Sequence, residues 1–303
     1  MGDGPPRLTV GLPVYNGERY IDETLRALRS QSFDDFVLFV ADNASTDGTR
    51  DVVEAHMAED DRIVLDVAER NQGAAFNWNR CYLQSTTEYF TWACADDVPL
   101  ADKFARCIEL LDAEGPDTVL AYPATELIDD DGVITGPYDD MGTIGGVRPS
   151  HRFLRIVRDL HLVHPLFGVM RTDTLASTRG CGAYSRADTV LLGELAMRGR
   201  FGFVDEVLFQ RRIHEASAMA GSDASVATHY TGSAGAGPRY PFSRLLRGHL
   251  GAVASAPIPV VDRLRCAWAL THWRYRRQIP RELRSGARRT AGRLRARGRR
   301  RAA

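Results

Sequence analysis

Residues 8–16 read Leu-Thr-Val-Gly-Leu-Pro-Val-Tyr-Asn, and the reading of this stretch decides the fold. The run Leu8 to Leu12 is short, apolar and β-prone. It ends at Pro13, with an Asn16-Gly17 turn pair three residues on, as a buried strand feeding a polar turn would. Outward from it the pattern repeats. Ile21, Leu25 and Leu28 recur at helical spacing, and Phe36 to Val40 is an unbroken apolar run suited to a strand covered on both faces. Asp42 to Gly48 is a polar turn in which Ser45, Thr46 or Asp47 can cap the next helix. Ile63 to Val67 predicts a third strand, Ala74 to Leu83 a helix, and Tyr89 to Ala93 a fourth strand that runs straight into Asp96-Asp97. Such alternation predicts an α/β fold, Rossmann-like, with a mostly parallel central sheet. Ligands in such sheets sit at the carboxyl ends of the strands. Three polar clusters meet there: Pro13 to Glu18, Asp42-Asn43 and Asp96-Asp97.

Further along the pattern loosens. Asp129 to Gly132 predicts a hairpin turn, Arg152 to Val157 a helix, Leu166 to Met170 a strand, Asp188 to Arg198 a helix and Phe201 to Phe209 a strand. The Gly-, Ala- and Ser-rich stretch 221–241 reads as a flexible loop. Helical stretches at Phe242 to Ala254 and Val260 to Arg277 follow it. The expected organisation is therefore residues 1–220 as one α/β domain, 221–241 as the loop, and 242–303 as a helical extension with a basic tail.

Composition narrows the class. The chain of 303 residues is 44% hydrophobic and 26% charged, as in ordinary globular proteins. No run of 18 uncharged apolar residues suits a membrane-spanning helix, and no leader peptide is expected from residues 1–7. Five cysteines without a CxxC pair argue against a disulfide framework or zinc knuckle and for a cytoplasmic protein. The net charge of zero hides an asymmetry: residues 274–303 hold thirteen Arg and one Glu, so this tail carries +12 and the remainder −12. A basic segment beside Trp268 and Trp273 suits an anionic membrane surface, on the inner face of the cell membrane, or a solvated arm. No nucleic-acid-binding fold accompanies it, so no nucleic-acid partner is expected.

The chemistry lies in the polar clusters. Two carboxylates at a buried strand end repel each other and lose hydration unless a cation joins them, which suits Mn²⁺ or Mg²⁺; the alternative is a polar turn in which Asp97 or Asp102 caps the next helix. Asp42 can accept the imide N–H of uracil or thymine, or else close an Asx-turn. Tyr15 could pack against a base, and Asn16-Gly17 allows the tight turn.

Together these segments resemble glycosyltransferase family 2, the large family with the GT-A fold. The resemblance rests on residues 8–16, on Ala41 to Thr49, on Asn71-Gln72-Gly73 and on Ala95-Asp96-Asp97, and it extends over residues 8–215. It implies that Pro13, Tyr15, Asn16, Glu18, Asp42, Asn71, Gly73 and Asp96 bind the nucleotide side of a nucleoside-diphosphate sugar. Asp42 would read the base, Asp96 would face the ribose or sugar, and Asp97 would hold Mn²⁺ or Mg²⁺. Cys94 stands where many members carry Asp or Ser. Asp188 matches the position of the general base in inverting members, with Glu194 as the second candidate. Gln210 to His214 resembles the closing segment, where Arg211 and Arg212 would neutralise the diphosphate and His214 would be a further metal ligand. The implied activity is transfer from a UDP- or dTDP-sugar to a hydroxyl of a glycan, lipid-linked or small-molecule acceptor. Two other functions fit less well. A sugar-phosphate nucleotidyltransferase would want a Gly-rich loop with Arg and Lys where Pro13 to Asn16 stands. A non-catalytic nucleotide-sugar-binding protein would not need carboxylates at Asp42, Asp96, Asp97 and Asp188.

Overall fold

The computed structural model describes residues 4–138, 141–160, 163–214, 229–232 and 241–274. Strands β1 (Leu8–Val14), β2 (Phe36–Asp42), β3 (Ile63–Val67) and β4 (Tyr89–Trp92) lie in the order β3-β2-β1-β4, all parallel. Helices α1 (Ile21–Arg29), α2 (Thr49–Met57) and α3 (Ala74–Leu83) join them. Val14 pairs with Asp42, and Asp42 with Val67, so the carboxyl ends of three strands come level. Pro13 does not end β1. Gly11 accepts from Ala93 on the β4 side, and Pro13 faces that same side after β4 has stopped at Trp92, so its missing N–H breaks no ladder bond.

The second half departs from parallel order. After β5 (Val98–Pro99) and α4 (Lys103–Glu114), the long β6 (Thr118–Ile128) turns through Asp129–Gly132 into β7 (Ile134–Pro137). Helix α5 (Pro149–Asp159) leads to a single 3₁₀ turn at His164–Phe167 and then β8 (Val169–Arg171). The strand expected over 166–170 is thus shortened and displaced. Pro165 suits the first turn of a helix and has no N–H to give a ladder. Strand β8 runs antiparallel to both β4 and β6 and sits between them. Helices α6 (Thr172–Ala176) and α7 (Ala187–Arg198) precede β9 (Arg200–Arg212), which pairs parallel with β6 and antiparallel with β5.

Alternation along β1 sends Leu8, Val10 and Leu12 into a core shared with Leu25 and Leu28 of α1, Val53 of α2 and Phe104 of α4. The opposite face packs on α3 and α7 through Phe90, Trp92, Leu191 and Leu195. Gly11 faces α3, where a Cβ would come within 2.6 Å of the Cys81 Cβ, so only glycine permits this approach. Helices α8 (Pro241–Ser255) and α9 (Val260–Ala269) form a third cluster with α5 and α7, including Phe153, Val190, Ala252 and Cys266. Beyond Ala269 the expected α-helix gives way to a wider turn over Leu270–Arg274, and its last residues, 275–277, lie outside the described residues. Of the expected loop 221–241, residues 229–231 are helical and Pro241 opens α8, while 221–228 and 233–240, like the tail beyond 274, lie outside the described residues.

Candidate functional site

The level strand ends bring the loops after β1 and β2 together, and their side chains satisfy one another. Asn16 Oδ1 accepts from the Thr46 N–H at 2.8 Å, and the Asn16 N–H donates to Ser45 Oγ at 2.9 Å. Glu18 Oε2 accepts from the Gly48 N–H at 2.9 Å. Glu18 therefore braces the two loops, with that oxygen turned to backbone and not outward. Asp47 accepts from the N–H and hydroxyl of Thr49 in the first turn of α2 and from the N–H of Glu18. Asp42 is buried and accepts both the Ser45 hydroxyl, at 2.5 Å, and its N–H, at 3.1 Å. The Asx-turn and a base-reading carboxylate are thus not exclusive, because the Asp42 Oδ2 keeps only a long 3.3 Å contact with the Ser45 N–H. Tyr15 is exposed at the same rim.

The third segment is tied on by Asn43, a residue to which the sequence reading gave no role. Its Nδ2 donates to Asn71 Oδ1 at 3.0 Å, and its Oδ1 accepts from the Gln72 N–H at 3.0 Å. Gly73 has φ +87°, and a Cβ there would meet the backbone of Tyr230 to Gly232, so this short segment lies directly on the Asn71–Gly73 turn. Its Tyr230 hydroxyl bonds the Arg186 N–H and lies near Asp188. Residues 229–232 therefore reach from the Asn71–Gly73 turn to the start of α7.

The acid pair is built differently. Asp97 is buried, and its Oδ1 accepts the Arg212 N–H at 3.0 Å, a contact that the β5–β9 pairing makes. Cys94, Asp96 and Asp97 bring their ligand atoms within 4.8 Å of one another. Burial and the charge of Asp96 push the Asp97 carboxyl well above its usual range, against the opposing charges of Arg211 and Lys103. His214 Nε2 lies 2.9 Å from Asp96 Oδ2. Two carboxylates and an imidazole are a donor set for a hard or borderline divalent cation, and such a cation would supply the missing counter-charge. The Cys94 thiol is held neutral by burial and by both carboxylates, so it adds no anionic ligand.

Arg211 and Arg212 part company. Arg212 is buried, and all three guanidinium nitrogens are committed: Nε to the Asp96 carbonyl, Nη1 to the carbonyls of Asp129 and Asp130, and Nη2 to Glu23 Oε2. The expectation that it contacts diphosphate gives way to that of a strut fixing the acid pair to the β6–β7 turn. Arg211 keeps a buried Nη1 with no hydrogen-bond partner. Its positive charge acts on Asp97, Cys94, His164 and Asp188 alike, so it lies within electrostatic reach of both the acid pair and α7.

Asp188 opens α7, and its Oδ1 accepts from the Thr189 N–H at 2.7 Å. Burial raises its pKa, and the Thr189 N–H, Arg186 and Arg211 oppose the rise. Glu194 is buried and ion-paired to Arg179 at 2.5 Å, so it anchors α7 and is not available as a base. Among the described residues, the non-glycine positions with positive φ are Asn16, Ala44 and Arg186. Each lies one or two residues from a site carboxylate or loop contact, where backbone strain concentrates in functional sites.

Two buried residues went unassigned in the sequence. Lys103, the one lysine of the chain, has its Nζ 4.7 Å from the Phe209 ring centre, and burial pushes its pKa down to about 8 against the pull of Cys107, Asp97 and Cys94. His164 is buried with neither ring nitrogen bonded among the described residues, its ring centre 3.5 Å from that of Tyr138. A lone Lys shortly after an acid pair, and a His-Pro at a strand entrance, were the available signals.

A sheet whose parallel strand ends carry a bonded polar rim, with an acid pair and a cationic side chain facing a carboxylate-bearing helix, defines a GT-A-type α/β protein. Solved structures of that type agree. TarS of S. aureus (residues 1–349, in complex with UDP) aligns with a TM-score of 0.64 at 15% identity, over 89% of this chain and 72% of that one. A mannosyltransferase of Pyrobaculum calidifontis, in complex with GDP-Man and Mn²⁺, gives 0.55 at 18% identity, over 96% of this chain and 75% of that one. Residues 9–170 match glycosyl transferase family 2, and the chain belongs to that family. TuaG of Bacillus subtilis, named for teichuronic acid biosynthesis, is 31% identical over 37% of this chain and 44% of its own length. A Campylobacter jejuni protein named as a GalNAc(5)-diNAcBac-PP-undecaprenol β-1,3-glucosyltransferase is 30% identical over 34% of each chain. These matches span less than half of either relative.

Proposed function

We propose that this protein is an inverting glycosyltransferase that moves a sugar from a UDP- or dTDP-sugar to an acceptor hydroxyl in envelope glycan synthesis. The observation that carries the reading is Arg211, whose buried Nη1 has no hydrogen-bond partner among the described residues and whose charge acts on both Asp97 and Asp188. In-line displacement needs leaving diphosphate, anomeric carbon, attacking oxygen and base in that order. The acceptor oxygen would bond to the anomeric carbon as the bond to the diphosphate oxygen breaks, and Asp188 would take the acceptor proton. Arg211 would bind the departing diphosphate with charge-assisted hydrogen bonds. Asp97, Asp96 and His214 would hold Mn²⁺ or Mg²⁺, which supplies Lewis acidity on the diphosphate. Asp42 would accept the imide N–H of the base, aided by Tyr15 and the Asn71–Gly73 turn. The UDP in TarS supports a uracil donor, and the name of the Campylobacter relative supports a lipid-linked acceptor. In this reading residues 1–220 carry the transfer chemistry. The basic tail draws the protein to anionic lipid on the inner face of the cell membrane; none of the described helices is long and apolar enough to cross one. A screen for metal-dependent hydrolysis of UDP-, dTDP- and GDP-sugars tests the donor. Turnover of UDP- or dTDP-sugars is expected; use of GDP-sugars alone would overturn the assignment of Asp42.

A further inference from the structure

Helix α9 has one face that the rest of the described protein leaves open. Its inner side, Asp262, Cys266 and Ala269, is buried, and Asp262 accepts the hydroxyl of buried Ser150 on α5. On the outer side Val260, Val261, Leu264 and Trp268 are 68%, 52%, 66% and 63% exposed. The last three follow one another at three and four residues, a single stripe along the helix. The stripe borders a groove of about 430 Å³ between α9 and His151 and Leu154 of α5. Isolated exposed apolar residues are ordinary, but four on one helix flanking an apolar groove form a surface that asks for a partner.

Charge identifies the partner. Between Asp223 and Glu282 the sequence has one acid, Asp262, and its carboxylate is turned inward. Arg263 and Arg265 sit on α9, and residues 274–303 add thirteen Arg against one Glu. Those thirty residues hold few large apolar side chains, Tyr275, Ile279, Leu283 and Leu294, so they are poorly suited to cover the stripe themselves. A second copy would bring the same positive charge against it. An apolar stripe bearing a tryptophan, on a helix with two arginines and no outward acid and followed in sequence by thirteen more arginines, matches the boundary between headgroups and acyl chains of an anionic bilayer. We propose that α9 lies in that boundary, with Val261, Leu264 and Trp268 inserted among the acyl chains. This rests on the membrane-surface reading above and deepens it: charge alone would hold the tail at the headgroups, whereas α9 supplies an apolar anchor.

The two forces respond differently to salt, and the full-length chain separates them. Sedimentation with phosphatidylcholine vesicles, with and without phosphatidylglycerol, is measured at low and high NaCl for the wild type and for Leu264→Ser/Trp268→Ser. Both positions are exposed, so circular dichroism and Tm should not change. The wild type should bind anionic vesicles and keep part of that binding at high salt, and lipids brominated in their acyl chains should quench its tryptophan emission. The double variant should lose roughly tenfold or more in vesicle affinity, lose the salt-resistant part and lose most of the quenching. Equal binding by the variant, fully reversed by salt, would overturn the insertion of α9 and leave the charge reading standing. Absence of wild-type binding to anionic vesicles would sink both. Dimerisation that the double variant abolishes, without vesicle binding, would give the stripe to a second copy instead.

Discussion

Along the rim of β1, β2 and β3, Asn16, Glu18, Asn43 and Asn71 are each bonded to a neighbouring turn, and Asp42 is bonded within its own. Around the acid pair and the start of α7 the balance differs. Asp97 and Asp188 are carboxyls raised by burial, Arg211 Nη1 and both His164 nitrogens have no partner, and Lys103 is a buried amine pushed down to about 8. The bonded rim is preorganised, so binding there needs little further ordering. The other side stores unfavourable electrostatics that a charged ligand would relieve, a common property of reacting groups. Under the proposed function, the difference separates a surface that recognises from one that reacts.

That separation can be broken by substitution. The largest effect is expected at Asp97: Asp97→Asn should reduce transfer to background while UDP affinity measured without metal stays close to wild type. Its folded pKa is raised, so the folded state holds the extra proton between the ordinary carboxylate range and that raised value, and stability falls as pH rises through this window. The metal-free variant should therefore melt higher than metal-free wild type at pH 8, and Mn²⁺ should raise the Tm of the wild type only. A wild-type-sized Mn²⁺ shift in the variant would contradict the assignment.

Asp188→Asn retains shape and an oxygen for the Thr189 N–H but removes basicity. A fall in kcat of about 10²–10⁴-fold with donor Kd unchanged is expected. Loss of donor binding in step with activity would move Asp188 to the recognising side. On the rim, Asp42→Asn should exchange an acceptor for a mixed donor and acceptor and weaken UDP by about tenfold, while uncoupling of metal from diphosphate should not follow. Isothermal titration with UDP and CDP measures this; unchanged preference between the two bases would remove Asp42 from base reading.

The smallest effect is expected at His164, whose pKa burial and Arg211 push down to about 2. Between there and about 6.5 the unfolded chain binds the proton and the folded one does not, so stability falls as pH drops below the unfolded value. His164→Leu should be within about 1 kcal/mol of wild type at pH 7 and lose less stability between pH 7 and 5 in urea titrations. An unchanged pH slope would show that the imidazole does not stay neutral.

How much was legible follows sequence distance. The strands and turns at Leu8, Phe36 and Tyr89 announce themselves because apolar run and polar stop are adjacent in the chain. The acid pair was legible for the same reason. Arg212 was not: its bond to Asp97 spans 115 residues, and nothing near it distinguishes a strut from a free Arg211. The bracing role of Glu18 was hidden in a related way, since its partner Gly48 lies in a different loop. Strand β8 is three residues long, below the length at which periodicity speaks, and the 3₁₀ turn at His164–Phe167 takes up the start of the run that suggested it.

The place of β8 also bears on how the chain is made. The units β3-β2-β1-β4 are complete by Trp92, but β6 has as its neighbours β8 and β9, which emerge up to 84 residues after its own end at Ile128. During synthesis an eleven-residue apolar strand therefore waits, with only the short hairpin partner β7 beside it, for residues 169–212 to leave the ribosome. An unpaired edge of that length invites pairing between nascent chains. Fragments that stop between Pro137 and Val169 should collect as aggregates, and chains that reach beyond Arg212 should not. Translational pauses placed before residue 169 should lower soluble yield, whereas the same pauses after 212 should not.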